Sequence, residues 1–242
     1  MFDGKSYSAK VIGTDPRKEA PVLNARIRKA YVGKRLPIAS IGPAADLTYP
    51  VTQLDNSPAA INALHDGTHP FAEVLKSASK PMIVIGQGAL RRADGAAILA
   101  AAWRLAASVG ALTPEWHGFN VLHTAAARVA GLDLGFVPGS NGKNVAQMMG
   151  GGVDVLWLLG AGELDTSAIG PNTFVVYQGH HGDAGAHRAD VILPGAAYTE
   201  KSGTYANTEG RVQRGFMAVH PPGDAREDWT ILRAFSQILG KT

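Results

Sequence analysis

The 242-residue chain carries a formal net charge of +3, with 45% apolar and 18% charged residues. Those are globular values that exclude a disordered chain, and the charge is too small to argue for nucleic acid. There is no cysteine, which excludes disulfides and any cysteine-bound iron–sulphur cluster within these residues.

No run approaches the roughly 18 apolar residues of a membrane-spanning helix, and residues 1–20 lack the apolar centre of a signal peptide. Direct membrane insertion is therefore not expected, and membrane association would come through a partner. Arg26, Arg28, Lys29, Lys34 and Arg35 form a local basic cluster. It reads as a solvated helix face, with a docking surface for another subunit as the alternative.

In chain order, Ala9–Ile12 reads as a short strand, followed by a Gly13-Thr14 turn and a helix over Lys18–Val32, with Pro21 in its first turn. Pro37–Ile41 is a second strand, closed by Gly42-Pro43. Asp55-Asn56-Ser57-Pro58 is a cap signature before a helix at Ala59–His65, and Thr68-His69-Pro70 precedes another at Phe71–Ser77. Lys80-Pro81 opens a third strand, Met82–Ile85, which leads through Gly86-Gln87-Gly88 into an alanine-rich helix, Ala96–Val109. Ile98, Leu99, Trp103 and Leu105 are its bulkier contacts.

Glu115–Asn120 reads as loop, Val121–Ala130 as helix, Leu132–Lys143 as irregular and Asn144–Met149 as a short helix. Val153–Leu159 is apolar except at Asp154, as expected for a parallel strand covered on both faces. Thr173–Tyr177 is a further strand that breaks into a Gly- and His-rich loop, and Asp190–Leu193 another that stops at Pro194-Gly195. Asp228–Leu239 closes the chain as a helix striped by Trp229, Ile231, Leu232, Phe235 and Ile238.

Strands alternating with helices predict an α/β fold: a doubly wound, mainly parallel sheet with Rossmann-like layers. A soft boundary near residues 77–80 divides a first, incomplete α/β segment (1–79) from a second (80–242) carrying crevice-like loops and the closing helix. Loops at the carboxyl ends of strands form the ligand crevice in such sheets, which makes Tyr177–Gln213 the stretch to weigh for function.

Gly86-Gln87-Gly88 and Gly160-Ala161-Gly162 each follow a strand, but Arg91 and Asp165 stand where a dinucleotide fingerprint needs its third Gly. Ordinary strand-to-helix turns suffice, although Gly88 with Arg91 would also suit a phosphate. His180, His181, Asp183 and His187 carry metal-ligand chemistry without a helical spacing. The plainer reading has His180 and His181 bonding within the loops or facing the ligand crevice, so no metal is expected. Ser202 and Thr204 define no nucleophilic triad, and Asp190, Glu200 and Glu209 beside Lys201 and Arg211 read as charge-paired loop locking. No catalytic residue is expected.

The combination YQGHHGD, ADVILPG and EKSGTYANTEGR within Tyr177–Arg211 resembles the late segment of the molybdopterin-oxidoreductase-like domain. It is most similar to the large iron–sulphur subunits of NADH–quinone oxidoreductase, respiratory complex I. Ile12–Ala30, Lys80–Ala101 and Pro221–Ser236 agree with the same family in the same order. The resemblance implies a formate dehydrogenase-like α/β architecture in which Gly203–Arg211 lies against a pterin crevice. It makes His180, His181, Gly203, Thr204, Asn207, Glu209 and Arg211 the vestigial cofactor-binding candidates.

The resemblance further implies a cofactor-free structural and assembly segment of the complex I peripheral arm. The complex passes electrons from NADH to quinone with proton translocation, so this would be a non-catalytic part of an oxidoreductase. Iron–sulphur clusters would belong to an upstream region with no counterpart here, and the chain reads as a carboxyl-terminal fragment or one polypeptide of a split subunit. Partners would be other peripheral-arm subunits. The location would be the cytoplasmic face of a bacterial inner membrane, or the matrix side in a mitochondrion. The alternatives are a fragment of a molybdopterin-dependent oxidoreductase and a stand-alone nucleotide-binding module.

Overall fold

A computed structural model describes residues 7–241, in two compact units divided at Arg128/Val129. The first unit runs β1 (Tyr7–Ile12), α1 (Pro16–Glu19), α2 (Pro21–Lys34), β2 (Ile38–Ile41), β3 (Thr52–Asp55), α3 (Ala59–His65), α4 (Phe71–Lys76), β4 (Lys80–Ile85), α5 (Gln87–Leu90), α6 (Gly95–Ser108), β5 (Leu112–Thr113), β6 (Trp116–His117) and β7 (Phe119–Val121). Its main sheet is wholly parallel in the order β3-β2-β1-β4-β7, and β5 and β6 pair as a small antiparallel ribbon.

The sheet is covered on both faces, and alternation along β2 shows how. Ala39 and Ile41 point into a core formed with α3, α4 and α6, where Ile61, Leu64, Leu75, Ile98 and Leu105 are buried. Ile38 points the other way, to Ile27 and Ala30 of α2 with Leu36, Leu47 and Tyr49. The doubly wound parallel architecture expected from the sequence is thus present. The chain winds outward from β1 through β2 to β3, then returns to start again at β4 on the opposite side of β1. The strand opening at Lys80 is therefore an inner strand of the first sheet, and the expected boundary at residues 77–80 falls within one sheet.

Three local readings need correction. The expected helix Lys18–Val32 is two helices: Pro21 lacks an N–H and begins its own helix after Ala20. Residues 115–121, read as loop and helix start, hold β6 and β7. Three residues carry no periodic signal, and β7 exists because Ile83–Ile85 offers it a parallel ladder. The same holds for β3, which sequence reasoning missed. Trp103 and Leu99, expected to be contacts of α6, are only partly covered, at 49% and 37% exposed, whereas Ile98 and Leu105 are buried. Trp103 does meet Phe119 edge-on at 5.3 Å.

The second unit begins in α7 (Arg128–Asp133) and continues α8 (Val145–Met149), β8 (Val155–Leu159), β9 (Phe174–Gly179), α9 (Ala184–Arg188), β10 (Val191–Pro194), β11 (Gly203–Ala206), β12 (Val212–Gly215) and α10 (Asp228–Ile238). β8, β9 and β10 form a parallel sheet in the order β10-β9-β8, and β11 pairs with β12 as an antiparallel hairpin. Leu156, Leu158, Val175 and Tyr177 pack one face of this sheet with Met149 and Ile169. β8 was expected to be covered on both faces, but Val155 is 59% and Leu159 46% exposed. The closing helix likewise buries none of its apolar stripe fully; Phe235 meets Trp157 edge-on at 5.0 Å, while Ile238 is 81% exposed.

Candidate functional site

The loops after β9 and β10 are organised by strand residues that sequence reasoning passed over. Tyr177, buried in β9, donates its hydroxyl proton to Asp183 Oδ2 at 2.7 Å, with the carbonyl oxygen of His181 also within reach at 3.0 Å. Asp183 Oδ1 accepts the backbone N–H groups of Gly185 at 3.0 Å and Ala186 at 3.3 Å, capping α9. The Tyr177 hydroxyl, with the capping amides behind it, holds the Asp183 carboxyl below its usual range. Burial, reinforced by that carboxylate, pushes the Tyr177 phenol up to about 12. Gly162 lies directly behind: a Cβ there would stand 1.8 Å from Asp183 Oδ2.

Gln178 is the second organiser, wholly buried at the next position of β9. Its Oε1 accepts the Trp157 indole N–H at 3.2 Å, and its Nε2 donates to Asp228 Oδ1 at 2.9 Å. Asp228 also pairs with Lys201. Glu227, the residue before α10, accepts the Ser202 N–H at 3.2 Å and the Trp229 indole N–H at 2.6 Å. The network ties β8, β9, the loop after β10 and α10 together. A Gln following VVY in a strand was the available signal, since a buried amide must find partners.

The metal-like cluster does not assemble. His180 and His181 are exposed and stack edge-on at 4.5 Å, with His181 Nδ1 2.8 Å from its neighbour's carbonyl oxygen. Both oxygens of Asp183 are committed as above, His187 is exposed on α9, and no metal-holding group exists among the described residues.

Gly203–Arg211 is part of a hairpin, not one long loop. Gly203 and Thr204 lie in β11, and residues 207–211 form the turn into β12. Asn207 Oδ1 accepts the N–H of Glu209 at 3.0 Å and of Arg211 at 2.9 Å, and Gly210 takes φ +72° to close the turn. Thr204, Asn207, Glu209 and Arg211 are exposed. Loop locking by paired charges takes a different form from that expected. Asp190 pairs with Arg188 at 3.6 Å and accepts the Val175 N–H at 2.8 Å, Lys201 pairs with Asp228 rather than a loop carboxylate, and Glu200 accepts the Ala197 N–H at 2.9 Å. Ser202 Oγ accepts the Met217 N–H at 3.2 Å.

In the first unit the turns after β1 and β4 close on each other. A Cβ on Gly88 would lie 2.6 Å from the Gly13 carbonyl oxygen, and one on Gly86 would lie 2.3 Å from Thr14 Cβ. These glycines serve close backbone packing, and Arg91 is the exposed residue that ends α5. Beside them, a cavity of about 220 Å³ is lined by Thr14, Ser40, Asp46, Tyr49 and Gln53. The Thr14 hydroxyl is buried without a protein partner.

Two features of the pterin-facing candidates and the glycine turns are plain: Asn207 is spent on its own turn, and the glycine turns of the first unit meet backbone to backbone. No cysteine is available as a metal ligand.

The chain is 45% identical over 233 residues to the "NADH-ubiquinone oxidoreductase 75 kDa subunit" of Reclinomonas americana, covering 96% of this chain and 33% of that protein. It is 43% identical over 236 residues to "NADH dehydrogenase (ubiquinone) iron-sulfur protein 1, mitochondrial" of Solanum tuberosum, covering 98% and 31%. A 46% match over 230 residues to the 78 kDa subunit of Candida albicans covers 95% and 31%. The chain therefore spans about a third of the length of these relatives. Acetylene hydratase from Pelobacter acetylenicus shares the fold, with a TM-score of 0.69 at 12% identity over 99% of this chain and 48% of that one. A family model described as molybdopterin oxidoreductase matches residues 10–238. By that match, which takes in both sheets and the closing helix, the chain belongs to the molybdopterin oxidoreductase family.

Proposed function

We propose that this chain is a supporting segment of the peripheral arm of an NADH–quinone oxidoreductase, held against other arm subunits and binding no redox centre of its own. The observation that carries the reading is the pairing of two facts. Its relatives bear the names of NADH–ubiquinone oxidoreductase subunits over nearly the whole of this chain. Yet one of the groups expected to face a pterin, Asn207, spends its side-chain oxygen on its own turn, and Asp183 nearby caps α9. A fold retained while its polar groups serve its own loops suits mechanical support.

In this reading the electrons pass through cysteine-bound clusters elsewhere in the assembly. The chain lies on the cytoplasmic side of a bacterial inner membrane, or on the matrix side in a mitochondrion. It reaches the membrane only through its partners; no described helix is long and apolar enough to cross one.

Native electrophoresis of gently solubilised membranes from the source organism tests this. The chain is expected in a band that oxidises NADH with a quinone acceptor. Its recovery solely as a small species apart from that activity would overturn the assignment.

A further inference from the structure

The charges of α2 have one sign only. Arg26, Arg28, Lys29, Lys34 and Arg35 are the only charged residues between positions 20 and 45, so the helix and its end carry cations and no carboxylate. Helix surfaces usually intersperse both signs, because a carboxylate three or four residues away relieves a lysine or arginine. The neighbouring α1 follows that rule: Arg17 pairs with Asp46 at 2.6 Å and Lys18 with Asp15 at 3.7 Å. Among the described residues, no ion pair joins Arg28 or Lys29 to an acid.

The inner face of α2 fixes which residues point outward. Ile27 and Ala30 are buried with Leu36, Ile38 and Leu47. Asn24, also buried, accepts the Tyr49 hydroxyl proton at 2.6 Å and donates to the Leu47 carbonyl oxygen at 3.1 Å. By the spacing of three and four, the opposite ridge is Val22, Ala25, Lys29 and Val32, with Arg28 at its flank. All five are exposed, Val22 to 74% and Val32 to 61%. The ridge thus has an apolar residue toward each end, an alanine that permits close approach, and cations without a counter-charge between them.

We propose that this ridge is a docking surface for an acidic amphipathic helix of another polypeptide in the assembly. The apolar stripe of that helix would cover Val22, Ala25 and Val32, and its flanking Asp or Glu residues would meet Arg28 and Lys29. The proposal rests on the reading above only in that the chain is held against other subunits. Charge selects this class of partner. A face without carboxylates repels a second copy of itself. A helix lying on lipid turns Trp, Phe or Leu toward the membrane, whereas this ridge has only Val and Ala, and Tyr31, the one aromatic of α2, stacks inward on Tyr49 at 6.3 Å. Nucleic acid is disfavoured by the small net charge of +3 and by the absence of aromatic residues on the ridge.

The test compares the intact assembly, from membranes of the source organism, with the 242-residue chain alone. Both are acetylated briefly, and the rate at each lysine is read by peptide mass spectrometry. Lys29 is expected to react roughly tenfold more slowly in the assembly, as a side chain desolvated at an interface does. A zero-length carbodiimide, which joins an amine to a carboxyl in direct contact, is expected to link Lys29 to an Asp or Glu of another polypeptide. Arg28→Glu combined with Lys29→Glu is expected to lower recovery in the assembly by about tenfold or more, while Arg28→Lys combined with Lys29→Arg keeps it. The labelling and the cross-link are read on the unaltered chain and need no variant to fold. Equal reactivity of Lys29 in both samples would overturn the proposal, as would protection without any cross-link to a carboxyl. Binding of the free chain to phosphatidylglycerol vesicles, with Lys29 equally reactive in both samples, would overturn it in favour of a lipid surface. Absence of NADH oxidation from the assembly speaks against the proposed function alone, whereas recovery of the chain in no assembly would overturn both.

Discussion

Replacing Gln178 with leucine removes the centre of the polar strut while nearly preserving its volume. The wild-type side chain accepts from Trp157 at 3.2 Å and donates to Asp228 at 2.9 Å. A bond to a charged group contributes about 1.5–3 kcal/mol and a neutral one about 1 kcal/mol. Lys201 still pairs with Asp228 in the variant, and leucine gains about 1 kcal/mol of apolar burial, which offsets part of the loss. The expected net destabilisation is about 2 kcal/mol. At a urea dependence of about 2 kcal/mol per molar, the midpoint falls by about 1 M.

The assay is urea unfolding followed by tryptophan fluorescence, with Trp103 and Trp116 of the first unit replaced by phenylalanine so that only Trp157 and Trp229 report. Trp157→Phe removes the indole N–H together with the five-membered ring and leaves Trp229 as the reporter. Combining it with Gln178→Leu in a double-mutant cycle is expected to give a coupling of about 0.5–1.5 kcal/mol. A change below about 0.5 kcal/mol for Gln178→Leu, together with additive single variants, would refute the strut.

Three further outcomes are expected. Gly162→Ala drives a methyl into Asp183 and dislodges the cap of α9, which costs about 1–3 kcal/mol; a variant that melts like the wild type would show the loop yields freely. Leu105→Ala, in the buried face of α6, is expected to destabilise the first unit by about 2–5 kcal/mol in calorimetry, with the second unit's transition unmoved. The Tyr177–Asp183 pair gives the second unit two pH limits. Asp183 has a depressed pKa, so its contribution is present above the ordinary carboxyl value of 3.8 and is lost as pH falls below it. Tyr177 is raised, so its contribution is complete below the ordinary phenol value of 10 and is lost as pH climbs toward about 12. Ultraviolet difference titration should find Tyr177 and the buried Tyr49 both ionising late, and Tyr177→Phe should remove one of the two; an unchanged titration would contradict the assignment.

What could be read in the sequence follows from where each signal resides. TFVVY at residues 173–177 is β-branched and aromatic beyond what any helix favours, so its strand was legible, as was the helix at Ala59–His65 between clear breakers. β3 and β7 were not, because short strands exist through the ladders their neighbours offer. The site was misread for a related reason. His180 and His181 drew attention by their chemistry but lie exposed, whereas Tyr177 and Gln178 looked like ordinary strand residues and hold the loops. Gly203–Arg211 was legible as a special segment, but only the pairing of Thr204 with Arg214 reveals it as a hairpin. The expectation that β8 is covered on both faces failed for these residues, because Val155 and Leu159 lie on the face opposite the buried Leu156 and Leu158.

The most direct measurement of the central claim is elemental and pterin analysis of the protein purified from its own membranes. Molybdenum and tungsten would be counted by plasma mass spectrometry, and pterin by its fluorescence after oxidative denaturation. Support without a redox centre predicts both metals and pterin far below one per chain. One molybdenum or tungsten per chain together with one pterin would contradict it.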